Sequence, residues 1–582
     1  MARTWRPPAS RWWQDRLGYL RFGFAIFGAV LIWRLFTLQV LQHGFYVALA
    51  DDQHQFSQQL DPERGEILVR DRQSATGYYP LATNRTLHLL YAVPKQIRNP
   101  TATASALAPY VTIPEADLLK RLAKPNDLYE PIQHYLTDDQ QQTIAVLKLP
   151  GLYFSDESTR YYPERTTGSQ LIGFVGFDHD RRVGRYGLEG SFETELGGRR
   201  GQITAEKDAS GQLIATAAQF WSPAQDGADL ILTIDRTIEF EACRRLNEAV
   251  LKHGADSGSL VIMDPTTGAI YALCGSPDFD PNSYNTVTDL ERFTNSVTQE
   301  PYEPGSVFKP VTMAAAINEE AVTPETTYTD TGQVQVGSYT IKNSDGKAHG
   351  AQTMTAVLEE SLNTGAIFAM NQIGPEKFQR YVTAFGFGQP TGIEVDERPG
   401  NVATLATGRE IYATTASFGQ GVTVTPLQLA AAFSVFANGG QLVRPYVVEK
   451  IRHSDGREVV SQPRVVRQVI SPKTAATISA MLVRVVQNGH GQRAGVPGYF
   501  VAGKTGTAQI PDPATGTYHS DQTIGTFAGF APVDDPKFVM VVKLVRPRDV
   551  QFAESSAAPL FGELARFLLS YFGVPPTESP NP

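Results

Sequence analysis

From Phe22 to Trp33 the chain runs without a charge, directly after a segment in which Arg3, Arg6, Arg11, Arg16 and Arg21 face a single acid, Asp15. Carried through Arg34 to Leu41, the stretch reaches 20 residues, which is about 30 Å of helix at roughly 1.5 Å per residue. Backbone amides in hydrocarbon find no water, so a single crossing segment must be a helix that satisfies its own hydrogen bonds. The arginine-rich side is expected in the cytoplasm and everything from Gln42 onward outside it. Ala48-Leu49-Ala50 has the small-x-small form of a cleavage site, but it lies far beyond the uncharged stretch, and we read a retained anchor rather than a removed signal peptide. Arg34 falls about two-thirds of the way across, where a charge is costly. It is read as reaching out to the interface, the alternative being a polar group on a partner's membrane helix.

The 582 residues allow three to five compact units, and 42% hydrophobic with 19% charged residues describes a chain that buries large cores. Lys+Arg 51 against Asp+Glu 60 gives a net charge of −9, so there is no broad basic field for nucleic acid. Two cysteines, Cys243 and Cys274, make neither a disulfide framework nor a Cys-only zinc site, and the ten histidines show no His-Glu-x-x-His spacing. No metal and no cofactor are expected.

Up to Trp221 the chain reads as short strands and turns with a few helices, one from Pro114 to Leu122 after a Thr112 cap region. Gly201 to Ala215 alternates around a Ser-Gly turn, a hairpin signal. Breakers from Ser222 to Gly227 mark a boundary. Beyond it, Leu230–Ile234 and Gly258–Met263 read as strands. Between them Asp235 caps a helix whose apolar residues Ile238, Ala242, Leu246 and Val250 recur at helical spacing. A strand at Val539–Val545 and a helix at Ala557–Phe572 complete an α+β core, and the proline-rich 575–582 reads as a disordered tail.

Three short motifs carry the chemistry. Ser306-Val-Phe-Lys309 is followed by Pro310, which helices tolerate only near their start, so Ser306 lies at a helix N-terminus where free amides favour an anionic intermediate. Lys309 falls on the same helix face, and a desolvated lysine can take the serine proton. Ser344-Asp-Gly-Lys347 has the same letters in a loop with no helix after it, and is set aside. Ser361-Leu-Asn363 sits inside a helical pattern from Ala356 to Asn371. Its hydroxyl could relay a proton and its carboxamide could hold a substrate amide. Ser283-Tyr-Asn285 shares that form but precedes Ser306, and order and context reject it. In Lys504-Thr-Gly-Thr507, Gly506 leaves room for a ligand backbone, and Lys504 with the hydroxyls of Thr505 and Thr507 forms a cationic edge for a carboxylate. Gly498 to Thr505 also satisfies the phosphate-loop pattern, but the apolar strand lies between the glycines and no helix can follow. A nucleotide is therefore not expected as a ligand.

The ordered triple Ser-x-x-Lys, Ser-x-Asn, Lys-Thr-Gly resembles the penicillin-binding and serine β-lactamase set. Tyr302 to Pro310, Asp264 to Ala272, Phe385-Gly-Phe-Gly388 with Thr391-Gly-Ile393, Phe418-Gly-Gln-Gly421 with Thr425-Pro426, and Lys504 to Gln509 are similar to class B penicillin-binding proteins. Arg64-Gly-Glu-Ile67 with Asp71-Arg72, Arg160-Tyr-Tyr-Pro163 and Gly187-Leu-Glu-Gly190 resemble that class's non-catalytic pedestal, and Ser-Leu-Asn with the Glu-Pro-Gly context looks most like the septal, cell-division branch. The resemblance implies a cytoplasmic segment 1–21, a transmembrane helix 22–41, a pedestal of dimerisation type 42–221, a linker 222–228 and a transpeptidase domain 229–574. It also implies a peptidoglycan D,D-transpeptidase acting on stem pentapeptides and acylated by β-lactams. Ser306 would be the nucleophile and Lys309 the base. Ser361 would shuttle a proton, and Asn363 would hold the donor amide. Lys504, Thr505, Gly506 and Thr507 would bind the terminal carboxylate, with the N–H groups of Ser306 and Thr507 as oxyanion hole. Glycan polymerisation would fall to a partner, a polytopic membrane glycosyltransferase, alongside other division proteins. The competing readings are a non-catalytic scaffold of the division complex, a membrane-anchored β-lactamase and a β-lactam sensor. Cys243 and Cys274 are read as buried free thiols, although an extracytoplasmic setting permits a bridge. His349 is read as a loop residue packed beside the site, and Glu359 and Glu360 as solvated helix residues no more suited than others to a deacylating role.

Overall fold

A computed structural model of the chain describes residues 12–44, 46, 55–178, 181–206, 220–512 and 517–577. Two compact units emerge, one of residues 1–62 and 199–225, the other of 63–198 with 226–582. In the first, the helix Trp12–Phe36 continues as a wider turn over Thr37–Leu41. From Arg16 to Leu41 it is long and apolar enough to cross a membrane, several residues longer on the amino side than the charge pattern implies. The same unit holds a three-stranded sheet of Gln55–Leu60, Gly201–Glu206 and Phe220–Ser222. The Ser-Gly turn expected after residue 206, the Ala48-Leu49-Ala50 pattern and arginines 3, 6 and 11 lie outside the described residues.

The second unit is built on two sheets. Seven strands form one of them, and it draws on both sides of the 222–228 segment. Ile67–Arg70 lies parallel to Asp229–Asp235, which pairs on its other side with Val448–Arg452. The long strand Tyr78–Ala92 continues the sheet to Glu130–Leu136 and Leu152–Tyr161. Beneath it Glu189 is fully buried between two guanidiniums, accepting from Arg64 Nε and Arg160 Nε at 2.7 Å each. Burial opposes the Glu189 charge, but Arg160 and Arg64 outweigh it and hold the carboxyl below its usual range. The pedestal motifs Arg64, Arg160 and Glu189 thus meet as one ionic knot.

The second sheet is antiparallel, in the order Ile270–Ser276, Ser257–Met263, Phe538–Val545, Thr517–Ala531, Ala502–Asp512. Phe538–Val545 is buried along nearly its whole length because both faces are covered. One face takes the carboxy-terminal helix Ala557–Tyr571, with Phe561 against Phe527 at 4.6 Å between ring centroids. It also takes the helix Arg236–Lys252, capped as expected by Asp235, whose carboxylate accepts from the amides of Thr237 and Ile238. The other face takes Pro426–Ala437, a helix apolar all round that Thr425 and Gln428 start with a reciprocal capping box.

Three expectations are corrected. Cys243 on the Arg236–Lys252 helix and Cys274 on the Ile270–Ser276 strand are joined in a disulfide, not free. The helix 356–371 is two helices, Met354–Glu359 and Asn363–Ile373, broken at Ser361, which takes a left-handed φ of +56°. The helix Glu115–Leu122 starts on Pro114 with no side-chain cap, so Thr112 does not serve as one; its amide and hydroxyl instead donate to Gln133.

Candidate active site

The Ser306-Val-Phe-Lys309 motif folds as a tight 3₁₀ turn, Gly305–Phe308, that runs straight into the helix Lys309–Asn318 with Pro310 in its first turn. Backbone holds that turn on three sides. Tyr302 exchanges hydrogen bonds with Val424, and the Gly305 amide donates to the Gly419 carbonyl at 3.0 Å. A Cβ on Gly419 would stand 2.1 Å from the Gly305 carbonyl oxygen, so this glycine is fixed by backbone-to-backbone packing. On the third side runs Ala502–Asp512, where a Cβ on Gly506 would stand 2.7 Å from the Pro304 carbonyl oxygen and 2.9 Å from the Val307 nitrogen. The room that Gly506 leaves is therefore filled by the nucleophile turn itself, not by a ligand as its sequence context suggested.

The second motif reaches the same place through its break. The left-handed conformation at Ser361, strained for a residue with a Cβ, sets its hydroxyl between two amines. Lys309 Nζ donates to Ser361 Oγ at 3.2 Å and also to the Ser361 carbonyl. Lys504 Nζ donates to the same Oγ at 3.0 Å, and to the carbonyl and Oγ1 of Thr505 at 3.1 and 3.3 Å. Both lysines are buried, at 1% and 0% exposure. Two ammonium groups on one hydroxyl in a dry site repel, and desolvation disfavours each charge. Burial, reinforced by the Lys504 charge, drives the Lys309 amine well below its usual range. Burial takes Lys504 down to about 7, against a smaller opposing pull from Glu554. Both amines are thus shifted toward the neutral form. Among the described residues the Ser306 hydroxyl takes no hydrogen-bond partner, and the Lys309 amine rests on Ser361.

Asn363 opens the following helix and its carboxamide donates to the Lys342 carbonyl at 2.9 Å. Thr507 lies on the edge strand with its hydroxyl accepting from the Ala553 amide at 3.1 Å, and Thr505 is buried. Because Ala502–Asp512 is the last strand of its sheet, its outer backbone groups are open to an extended peptide. Lys309, Ser361 and Lys504 thus meet on one hydroxyl, with Asn363 two residues beyond it and residues 506–507 packed against the Gly305–Phe308 turn that carries Ser306.

The motifs do not announce what supports them. Asp330, 2% exposed, accepts from the Gly332 amide, Thr364 Oγ1, Asn343 Nδ2, the His349 amide and His349 Nδ1. Thr364 follows Asn363, so this carboxylate anchors the second motif. His349 belongs to that network, and Asp330 draws its imidazole above the usual range, against burial. Glu359 is not solvated but accepts from Arg484 Nε at 3.1 Å. Glu303, before the nucleophile turn, accepts from the Gly421 amide and the Tyr518 hydroxyl at 3.0 Å each. These partners lie tens to hundreds of residues away, and only the acid in Tyr302-Glu-Pro-Gly hints at one of them.

Residues 258–566 match the penicillin binding protein transpeptidase domain, and residues 59–232 the penicillin-binding protein dimerisation domain. The chain belongs to the penicillin-binding protein transpeptidase family. It is 34% identical over 568 residues to stage V sporulation protein D of Bacillus subtilis, covering 96% of this chain and 86% of that one. To peptidoglycan D,D-transpeptidase FtsI of Escherichia coli K12 it is 30% identical over 556 residues, covering 94% and 90%. Among solved structures it is similar to penicillin binding protein 3 of Mycobacterium tuberculosis complexed with ampicillin, with a TM-score of 0.69 and 26% identity over 90% of this chain and 98% of that one.

Proposed function

We propose that the protein is a peptidoglycan D,D-transpeptidase that cross-links stem peptides through a Ser306 acyl-enzyme during septal wall synthesis. The observation that carries it is the convergence of two buried lysines on one serine hydroxyl beside the half-buried Ser306, in the turn that leads into the next helix, in a chain of this family. FtsI of Escherichia coli, named a peptidoglycan D,D-transpeptidase and similar over nearly the whole chain, supports the activity. The apolar helix Arg16–Leu41 supports a single-pass anchor in the plasma membrane with the cleft outside the cytoplasm. A polytopic glycosyltransferase and other division proteins are the partners proposed.

The donor stem lies along the free edge of Ala502–Asp512, its amide on Asn363 and its terminal carboxylate on Lys504, Thr505 and Thr507. Neutral Lys309 takes the Ser306 proton as Oγ attacks the penultimate D-alanine carbonyl. The oxyanion faces the N–H groups of Ser306 and Thr507, worth about 2.7–4 kcal/mol per donor. Ser361, bonded to both lysines, passes a proton to the departing amine, and terminal D-alanine leaves. An amine from a neighbouring stem then attacks the ester and regenerates Ser306. A β-lactam copies the carbonyl and carboxylate of the donor and leaves an acyl group on the same oxygen. A fluorescent penicillin should label the wild type and not Ser306→Ala; equal labelling of both removes the assignment.

A further inference from the structure

Glu239, on the helix Arg236–Lys252, is 1% exposed and has no counter-ion among the described residues. Its Oε2 accepts from the Leu273 amide at 2.8 Å, while its Oε1 takes no hydrogen bond among the described residues. A buried carboxyl with a spare oxygen is costly, and nothing in the acyl-transfer chemistry uses it. Cys243 follows one helical turn later, and a carboxyl oxygen of Glu239 and the two sulfurs of the Cys243–Cys274 bridge all lie within 4.8 Å of one another. Cys274 Sγ is also 3.9 Å from the Glu239 carbonyl oxygen. The two halves of the bridge differ in access. Cys274 is 2% exposed within an apolar cluster, whereas Cys243 is half-buried at its edge.

The charged and titratable groups on the elements around Glu239 are engaged elsewhere: Asp235 with the Tyr571 hydroxyl, Tyr271 with Asp264, Arg236 with Asp71 and Glu164, and Arg245 with Glu241. Burial, opposed only by the Leu273 amide, pushes the Glu239 carboxyl up to about 8, so near neutral pH it holds a proton. A disulfide opens when a thiolate attacks one sulfur and the other departs with the bonding pair. An approaching thiol meets Cys243 first, which makes Cys274 the leaving sulfur. It departs into apolar surroundings where a bare thiolate is costly, and the neighbouring carboxyl has the proton it needs.

We propose that Cys243–Cys274 is a thiol–disulfide exchange site, opened at Cys243 by a dithiol reductant, with Glu239 as the general acid that protonates Cys274 as it leaves and the base that recovers this proton on closure. The reductant thiolate forms an S–S bond to Cys243 Sγ as the Cys243–Cys274 bond breaks. The bonding pair goes to Cys274 Sγ, which takes the Glu239 proton. The second thiolate of the reductant then attacks the reductant's own sulfur in the mixed disulfide, and Cys243 leaves as a thiolate. Solvent protonates Cys243 and Glu239. The protein disulfide is thereby reduced to two thiols, and the dithiol is oxidised to a disulfide. A monothiol lacks the second attack, and the Cys274 thiol, held beside the mixed disulfide at high effective concentration, recloses the bridge.

The full-length protein in detergent is treated with dithiothreitol from pH 6.5 to 9.5, quenched with acid, alkylated and weighed by mass spectrometry. Each opening rate is divided by the concentration of dithiothreitol thiolate. Wild type should open in proportion to dithiothreitol, with a normalised rate that is level below about pH 8 and at least tenfold lower by pH 9.5, as Glu239 loses its proton. Glu239→Gln keeps an acceptor for the Leu273 amide but has no proton to transfer. Its normalised rate should be at least tenfold below wild type at pH 6.5 and level across the range. A wild-type rate independent of dithiothreitol, which means that the bridge opens only on unfolding, overturns the proposal. So does a level wild-type profile, or a Glu239→Gln profile that matches wild type. The two wild-type readings decide the matter even where Glu239→Gln fails to fold.

Discussion

Gly506→Ala tests whether the edge strand and the nucleophile turn are registered by contact. The new Cβ would stand 2.7 Å from the Pro304 carbonyl oxygen, 2.9 Å from the Val307 nitrogen and 3.0 Å from Val307 Cβ. Ordinary contact begins near 3.4 Å, so the worst approach is short by 3.4 − 2.7 = 0.7 Å. Two of the three atoms are backbone, and that backbone is held from behind by Gly419. The strand must therefore retreat, carrying Lys504 from Ser361 and the Thr507 amide from the position proposed for the oxyanion. Overpacking of this kind costs about 1–3 kcal/mol of stability. A displacement approaching 1 Å at reacting groups costs about a hundredfold in rate, equivalent to about 2.7 kcal/mol in the barrier. The assay is stopped-flow acylation by a fluorescent penicillin, with thermal unfolding on the same preparation. The expected result is a loss near a hundredfold with the protein still folded. Acylation within threefold of wild type would refute the reasoning, because the strand would then be free to shift without consequence.

Asp330→Ala leaves donors of Asn343, Thr364 and His349 unpaired at about 1–3 kcal/mol for each buried group; a lower melting temperature with at least tenfold slower acylation is expected, and normal acylation would detach this network from Asn363. The Lys309 amine acts as base only when neutral, so acylation should rise with pH through its lowered value. Lys504 loses its charge as pH climbs past about 7, so affinity for anionic β-lactams should fall above that point, and an affinity unchanged from pH 6 to 9 would contradict it. Cys243→Ser opens a bridge across 31 residues, for which loop entropy predicts a loss of about 3–4 kcal/mol, read as a lower denaturant midpoint. Burial pushes the Glu239 carboxyl up to about 8. A carboxyl raised on folding binds more protons folded than unfolded, so its contribution is present below about 4.5 and declines up to about 8. Glu239→Gln should flatten stability against pH across that window, whatever its constant offset, and an unchanged slope would rule the group out.

Where local chemistry decides, the sequence was readable. Pro310 pins a helix start at Lys309, three residues beyond Ser306, which lies in the 3₁₀ turn leading in; Asp235 is a cap because its carboxylate reaches two amides, and the apolar run Phe538–Val545 is a strand covered on both faces. Tertiary contact decided the rest. Nothing in Glu359-Glu-Ser-Leu-Asn363 breaks a helix; the break comes from two lysines, 52 and 143 residues away, closing on one hydroxyl. The disulfide is a juxtaposition of a helix and a strand that no spacing encodes. Gly506 carried the correct demand, a close approach, but composition could not say that the approaching group was Pro304–Val307.

The parallel pairing of Ile67–Arg70 with Asp229–Asp235 has a mechanical meaning. A pull along Ile67–Arg70 loads those hydrogen bonds in shear, all at once, rather than unzipping them singly. Asp229–Asp235 then leads, through Asp235, into the helix that Cys243 bridges to the strand Ile270–Ser276. One continuous strand-to-helix path and one covalent bridge thus join the seven-stranded sheet to the five-stranded one.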